Sequence, residues 1–319
     1  MTHTAIEAPS PSSLHRLVRP QCRRDAGLAS AATPRSVHRA DHVMDMPFAD
    51  AGTRMEQDRN ETGLAAAAEA GARLIDAIAT PDGFGALCAE LGAICAFQNF
   101  IVYVFRADAS PALIHSNRGM PRMQDSMAGY IHGLYALDPF HRLTLEGASG
   151  LFRMRDIMPE AFPQSEYHRR FYKFTDVSDE LRYIVQPDAA RTVHIFIERE
   201  GGALFSAAEM ARLHAVAPFV LRFVAAHIAW ADQGEPERLA PAPAFDLREK
   251  VRAMQPGALT PREVDTVELM LKGHSTKSMA RVLGIDAGTV ANHKRHIYAK
   301  LDVHSQAQLF DLFLRSLAA

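Results

Sequence analysis

Cysteine, tryptophan and uninterrupted apolar stretches are all scarce in this chain of 319 residues. Three cysteines, Cys22, Cys88 and Cys95, cannot build a disulfide framework in so long a chain, which points to a reducing cytoplasm. No apolar run reaches the roughly 18 to 20 residues of a membrane span. The best candidate, Leu213 to Trp230, is interrupted by His214, Pro218, Arg222 and His227, so no membrane partner is expected. Charge of one sign is lacking too. The 35 Lys and Arg against 37 Asp and Glu leave a net charge of −2, so the chain is no polycation and any contact with nucleic acid has to be local. A Ser/His/Asp elbow, a Gly-rich phosphate loop and a Cys/His/acid cluster with ligand spacing are also missing; no catalytic residue, cofactor or metal is expected. What is there, 48% hydrophobic and 23% charged residues, is the composition of a globular protein. The length suits two domains at about 150 residues each.

Residues 1–60 read as a disordered tail. Arg16, Arg19, Arg23, Arg24, Arg35 and Arg39 stand among Ser, Pro, Ala and His with no sustained apolar period. Such a start also resembles an organelle transit peptide, but without a clear amphipathic helix. Met44, Met46 and Met55 leave open a start further along the chain.

The first folded domain is expected over 63–233. Ala- and Leu-rich spacing from Gly63 to Cys95 predicts two helices broken at Thr80-Pro81-Asp82-Gly83. Cys88 and Cys95 fall seven apart on one helix face, about 10.5 Å along the axis and too far for a disulfide. The period then changes. Asn99–Arg106 is β-branched and aromatic on both faces, as in a strand covered on both sides. Further strands are predicted at Ala112–Ser116, Leu181–Gln186 and Thr192–Glu198, with a helix over Gln124–Ala136. Ser206 and Glu209 form a capping box ahead of a long helix reaching Asp232, with a kink expected at Pro218.

Residues 234–245 hold three prolines and no apolar face, the signature of a semi-rigid linker. Beyond it, residues 246–319 carry eleven Lys and Arg against eight Asp and Glu. Lys272, Lys277, Arg281, Lys294, Arg295 and Lys300 concentrate that excess, a footprint suited to phosphates. Thr260-Pro261-Arg262-Glu263 is a second capping box with proline at the first helical position. The helix it opens keeps Val264, Val267, Met270 and Leu271 on one side and ends at Gly273, a natural left-handed cap. Ser275 caps a short second helix closed by Gly284, and Asp286 caps a third with Val290, Ile297 and Leu301 inward. Helix, tight turn, helix is the helix-turn-helix layout.

The strings LTPREV, LKGHSTKSMARVLGI and TVANHKRHIYAKL resemble the DNA-binding domain of LuxR-type transcription regulators across about 55 residues. That resemblance implies an all-α four-helix domain with its third helix in the major groove of double-stranded DNA. The fourth helix, Gln306 to Leu317, would support a homodimer, and RNA polymerase stands as a further partner. Ser278, Ala291 and the Ser305–Ala307 segment depart from the common pattern, which bears on the operator sequence. Helical phase turns Gly288, Ala291, Asn292 and Arg295 outward, and by resemblance Ala291, Asn292 and Arg295 occupy base-reading positions. Thr276, Lys277, Lys294 and Lys300 suit phosphates, although each lysine also suits a solvated face. His293 and His296 have no Cys or acid to complete a metal site.

The strands with helices before, between and after suggest an α+β sensor domain, a largely antiparallel sheet flanked by helices. It is similar to PAS, GAF and autoinducer-binding domains. Tyr130, Tyr135 and Asp138-Pro139 resemble the Tyr and Asp-Pro positions of sensors for acyl-homoserine lactones, implying a small-molecule ligand. The one tryptophan, Trp230, lies in the long helix, so the tryptophans that wall a lactone pocket are missing. Asp138 also suits a helix cap ahead of Pro139, with the tyrosines as core. His194 and Phe196 on one strand, with Arg182 and Gln186 on its neighbour, suit either a polar pocket floor or a solvated sheet face. Candidate dimer surfaces are the Leu309, Phe313, Leu317 stripe and the Val216, Phe219, Val220, Phe223 face of the long helix. The expectation is a cytoplasmic DNA-binding regulator under small-molecule control; the alternative is a ligand-independent regulator whose first domain serves dimerisation or partner contact.

Overall fold

The structure is a computed structural model that describes residues 50–117, 129–172, 175–233 and 245–318. The expectations for residues 1–49 with Cys22, for the linker up to residue 244 and for residues 124–128 of the anticipated helix lie outside the described residues. Glu56–Ala319 forms one compact unit, and all the packing below lies within it.

Helix α1 (Asp50–Ala77) reaches further back than expected, so residues 50–60 are helical rather than tail. It is followed at the anticipated break by α2 (Gly83–Ile94). Five strands make one sheet: β1 (Asn99–Arg106), β2 (Ala109–Ser116), β3 (Gly150–Arg153), β4 (Val177–Val185) and β5 (Arg191–Glu200), in the order β2-β1-β5-β4-β3. All the pairings are antiparallel. Strand alternation in β1 divides two cores, because successive side chains leave a strand on opposite faces. Phe100 and Val102 join Leu181, Tyr183, Ile195 and Ile197 against α2 and the long helix α5 (Ala207–Ala231). Ile101, Tyr103 and Phe105 join Phe196 and Ile184 on the other face.

Over that second face lie a 3-10 turn (Leu134–Leu137), α3 (Pro139–Leu145), the short α4 (Met154–Ile157) and the turn Phe162–Gln164. Where a helix to Ala136 was expected, the chain instead enters this tight turn through Gly133 at φ +139°, a conformation L side chains rarely adopt.

Helix α5 is long and apolar enough to cross a bilayer, yet Leu213, Val220, Phe223, Val224 and Ile228 are buried on the sheet. Its proposed dimer face is therefore corrected. Val220 and Phe223 are core, Val216 packs partly against it, and of the four only Phe219 is exposed, at 40%.

The C-terminal half holds α6 (Leu247–Ala253), α7 (Pro261–Leu271), α8 (Thr276–Leu283), α9 (Ala287–Leu301) and α10 (Gln306–Ala318). Helix α6, started by Asp246, adds one to the expected four. Leu309 and Phe313 of α10 are fully buried and Leu317 partly so, which removes that stripe as an open dimer surface. The buried cluster on the second sheet face runs without a break through Phe162 into Val264, Met270 and Phe310. At this junction Arg170 pairs with Asp311 and lies 5.4 Å from the centre of the Phe310 ring.

Candidate nucleic-acid interface and ligand site

Each helix of the DNA-binding candidate starts at a side-chain cap. The Thr260 hydroxyl accepts from the Glu263 amide while Glu263 Oε2 accepts from the Thr260 amide at 2.8 Å. Ser275 accepts from the Ser278 amide at 3.1 Å, and Asp286 from the Thr289 amide at 2.8 Å. Gly273 and Gly284 are left-handed at φ +79° and +66°, ending α7 and α8 where the sequence places caps. Val290, Ile297 and Leu301 are buried, and this phase leaves Gly288, Ala291, Asn292 and Arg295 exposed on α9. Arg295 and Lys277 have no carboxylate partner among the described residues, so both charges face solvent. Thr276 opens α8, with its side chain half-buried.

The remaining lysines divide. Lys294 is half-buried on α9. Lys300 Nζ lies 2.6 Å from Glu263 Oε2, where its charge stabilises a buried carboxylate instead of standing free for phosphate. Burial raises the Glu263 carboxyl, but the Lys300 and Thr260 bonds outweigh it and hold the group below the usual carboxylate range. Lys272 is half-buried in the α7–α8 turn, and burial lowers its ammonium. Arg262, which had no role in the sequence reading, donates to the Leu283 carbonyl and ties α7 to the end of α8.

In the N-terminal half the structure brings Tyr130 and Asp138 into hydrogen-bond contact; the Tyr135 ring lies 6.3 Å from that of Tyr130, but its hydroxyl is turned to Phe245. Asp138 Oδ1 caps α3 through the Phe140 amide at 2.9 Å, and its Oδ2 accepts from Tyr130 at 3.0 Å and from Arg182 at 2.5 Å. Arg182 also donates from Nε to Glu180 at 2.6 Å, and Tyr172 donates to Glu180 at 2.7 Å. The guanidinium is sandwiched between Phe140 and Phe196, 4.1 and 3.6 Å from the ring centres. Register creates this, since Arg182 of β4 stands opposite Phe196 of β5. Burial works against the Arg182 charge, and Asp138 and Glu180 more than compensate, keeping it protonated. Burial pushes Glu180 upward against the pull of Arg182. The space beside Asp138 where a small-molecule ligand was one expectation is therefore taken by the chain's own arginine.

Tyr135 lies on a second site, a cavity of about 410 Å³ that also touches Phe105, His141, Thr144, Gln186 and Phe245. Its hydroxyl accepts from the Phe245 amide at 3.3 Å, and the two rings meet edge to face at 6.0 Å. His194 is buried behind Phe105, ring centres 4.3 Å apart, with Nε2 2.7 Å from the Thr144 hydroxyl. Of the two readings for Arg182 and Gln186, neither a shared pocket floor nor a solvated face describes both: Arg182 is buried against Asp138 and Glu180, and Gln186 lines the cavity beside Tyr135.

A helix-turn-helix half whose third helix presents small, amide and guanidinium side chains to solvent, joined to an α+β half with a polar interior, defines a DNA-binding transcription regulator. Residues 257–313 match the family described as bacterial regulatory proteins, luxR family. An HTH-type transcriptional regulator in the exeN 3′ region of Aeromonas salmonicida is 31% identical over 189 residues, covering 56% of this chain and 94% of that protein. A second HTH-type transcriptional regulator, from Mycobacterium tuberculosis, is 39% identical over 84 residues, 26% of this chain and 8% of that one. The LBD domain of VqsR from Pseudomonas aeruginosa is similar in structure, with TM-score 0.46 and 27% identity over 52% of this chain and 98% of its own. The chain belongs to the luxR family of bacterial transcription regulators.

Proposed function

We propose that the chain is a sequence-specific regulator in which α9 enters the major groove and a small molecule held by the N-terminal half adjusts DNA affinity. The observation that carries the reading is the exposed Ala291, Asn292 and Arg295 row, fixed by the Asp286 cap and the buried Val290, Ile297 and Leu301. Asn bridges adenine N6 and N7, Arg forks onto guanine O6 and N7, and Ala leaves room for a thymine methyl. Lys277 and Thr276, one helix earlier, lie where a phosphate would pass. Binding as a homodimer on half-sites about 10 base pairs apart supplies the area that a single helix-turn-helix lacks. The test is selection from random duplexes with the full chain, followed by titration against salt. A slope near −4 to −5 per half-site, for about five phosphates, is expected. Salt-independent binding, or no enriched sequence, overturns the reading.

The ligand-independent alternative draws support from Arg182, which satisfies Asp138 without a ligand. Native mass spectrometry of the purified chain separates the two readings, since it reports retained ligand and stoichiometry together.

A further inference from the structure

Helix α9 carries a histidine that neither the packing nor the proposed base readout uses. His296 is exposed and makes no hydrogen bond or ion pair among the described residues. At 3.6 residues per turn it stands about 100° round the helix from Arg295 and about 40° beyond Asn292. Arg295 is near the middle of the outward row, so His296 lies on the flank of that row. A helix about 10 to 12 Å across nearly fills a major groove about 12 Å wide. When the outward row meets base edges, the flank meets the phosphates that wall the groove. Lys300, one turn further on this flank, is bound to Glu263 of α7. Thr289, on the same side, is engaged with Asp286 of the cap, and His293 is half-buried. Among the described residues, this flank therefore has one exposed and unpaired side chain able to take up positive charge, and it is an imidazole.

The charged groups of the two helices packed against α9 are otherwise engaged or stand in solvent. On α7, Arg262 is bonded to the Leu283 carbonyl, Glu263 to Lys300, and Asp265 and Glu268 to Arg248. On α8, Lys277 and Arg281 are exposed, with no carboxylate partner among the described residues. On α9 itself the charged neighbours are Lys294, Arg295 and Lys300.

We propose that His296 is a proton-dependent phosphate contact: as α9 enters the groove the imidazole takes a proton from solvent and pairs, as imidazolium, with a phosphate of the groove wall, so that DNA affinity rises as pH falls. Histidine is the side chain that changes charge between pH 5 and 8, and a phosphate beside it favours the charged form. Arginine and lysine keep their charge over that range, so the other phosphate contacts stay constant while this one titrates. The inference rests on the regulator reading, since it needs α9 in the groove.

The test measures the affinity of the full chain for a duplex enriched by selection, titrated against salt at about pH 5.5 and at about pH 8. The wild type should bind about tenfold tighter per half-site at the lower pH, as a proton held one pH unit further up in the complex implies. Its slope of log K against log salt should also be steeper there by about 0.9 per half-site, the value of one added phosphate contact. His296→Gln should lose both differences. His296→Arg should show at both pH values the slope that the wild type shows only at the lower one, and His293→Gln should keep the wild-type pattern. Unfolding curves at the two pH values show that each variant is folded where its affinity is read. An enriched duplex bound with one slope at both pH values overturns the inference and leaves the regulator reading standing. So does a pH response that survives in His296→Gln or His296→Arg, or that is lost equally in His293→Gln. A chain that enriches no duplex at either pH overturns the regulator reading, and this inference with it.

Discussion

Arg182 shows how much one side chain decides here. Its charge is buried with two carboxylates, a phenol and two aromatic faces around it, so removing it leaves Asp138 and Glu180 without compensation. Arg182→Met should lower the unfolding free energy by about 3 to 5 kcal/mol, measured by urea denaturation. A loss under about 1 kcal/mol would mean that the cluster is not assembled as described. Arg295 and Lys277 are both exposed with no carboxylate partner among the described residues, yet their positions differ, one on α9 and one on α8. Arg295→Ala should cost about 1 to 3 kcal/mol on the best site and relax one base position, whereas Lys277→Ala should weaken every sequence alike. Equal losses on specific and random duplexes for both would sink the distinction. The sequence reveals these outward residues because helical phase alone turns them to solvent. It does not expose the Arg182 cluster, since Glu180 shares β4 with Arg182 but Asp138 and Phe196 come from other elements and meet it only through a helix cap and sheet register. The Lys300–Glu263 pair is hidden from the sequence for the same reason, since its partners stand 37 residues apart.

At the scale of elements, local chemistry is the most legible. Ser206, Thr260, Ser275 and Asp286 all cap the helices that their sequence contexts announce, because a cap needs only neighbours in sequence. Strand β3, four residues long, and the short α6 escape because neither is long enough to show a period. The face of α5 is misread because apolar residues lie on more than one side of it, so spacing cannot say which side the sheet covers. The α5 cap also carries a pH-dependent tie to the sheet. Glu209 receives Arg199 of β5 at 2.6 Å together with the Ser206 amide and hydroxyl, which hold its carboxyl down at about 2. A carboxyl lowered on folding contributes stability that is complete above its unfolded value and is lost as pH falls through the folded one. Stability should therefore decline from about pH 5 toward pH 2, and Glu209→Gln should make that decline shallower. Parallel thermal unfolding curves of the two proteins across this range test it, and identical slopes would refute the tie.

For the whole molecule the question is whether the two halves move as one. The continuous apolar cluster through Phe162, Val264 and Phe310 joins them, and the Arg170–Asp311 pair spans the junction. That pair is partly exposed, 32% and 44% at the two side chains, so it contributes no more than about 1 kcal/mol and cannot hold the halves alone. Closer contact is made at Gly273, where an added Cβ would stand 2.9 Å from Ser165 Cβ and 3.0 Å from Phe162 Cα. The sequence identifies Gly273 as a cap and gives no hint of this second role, because Phe162 and Ser165 lie more than a hundred residues earlier. Gly284 separates the two requirements: it is left-handed at φ +66° with nothing within 4 Å of an added Cβ. Gly273→Ala and Gly284→Ala should share the left-handed penalty of about 1 to 2 kcal/mol. Only Gly273→Ala should also raise amide exchange in Phe162–Gln164 and at the Arg170 side of the junction, since only there must the N-terminal half give way. If the two variants lose equal stability and neither changes exchange in that turn, the α7–α8 turn is not docked on the N-terminal half.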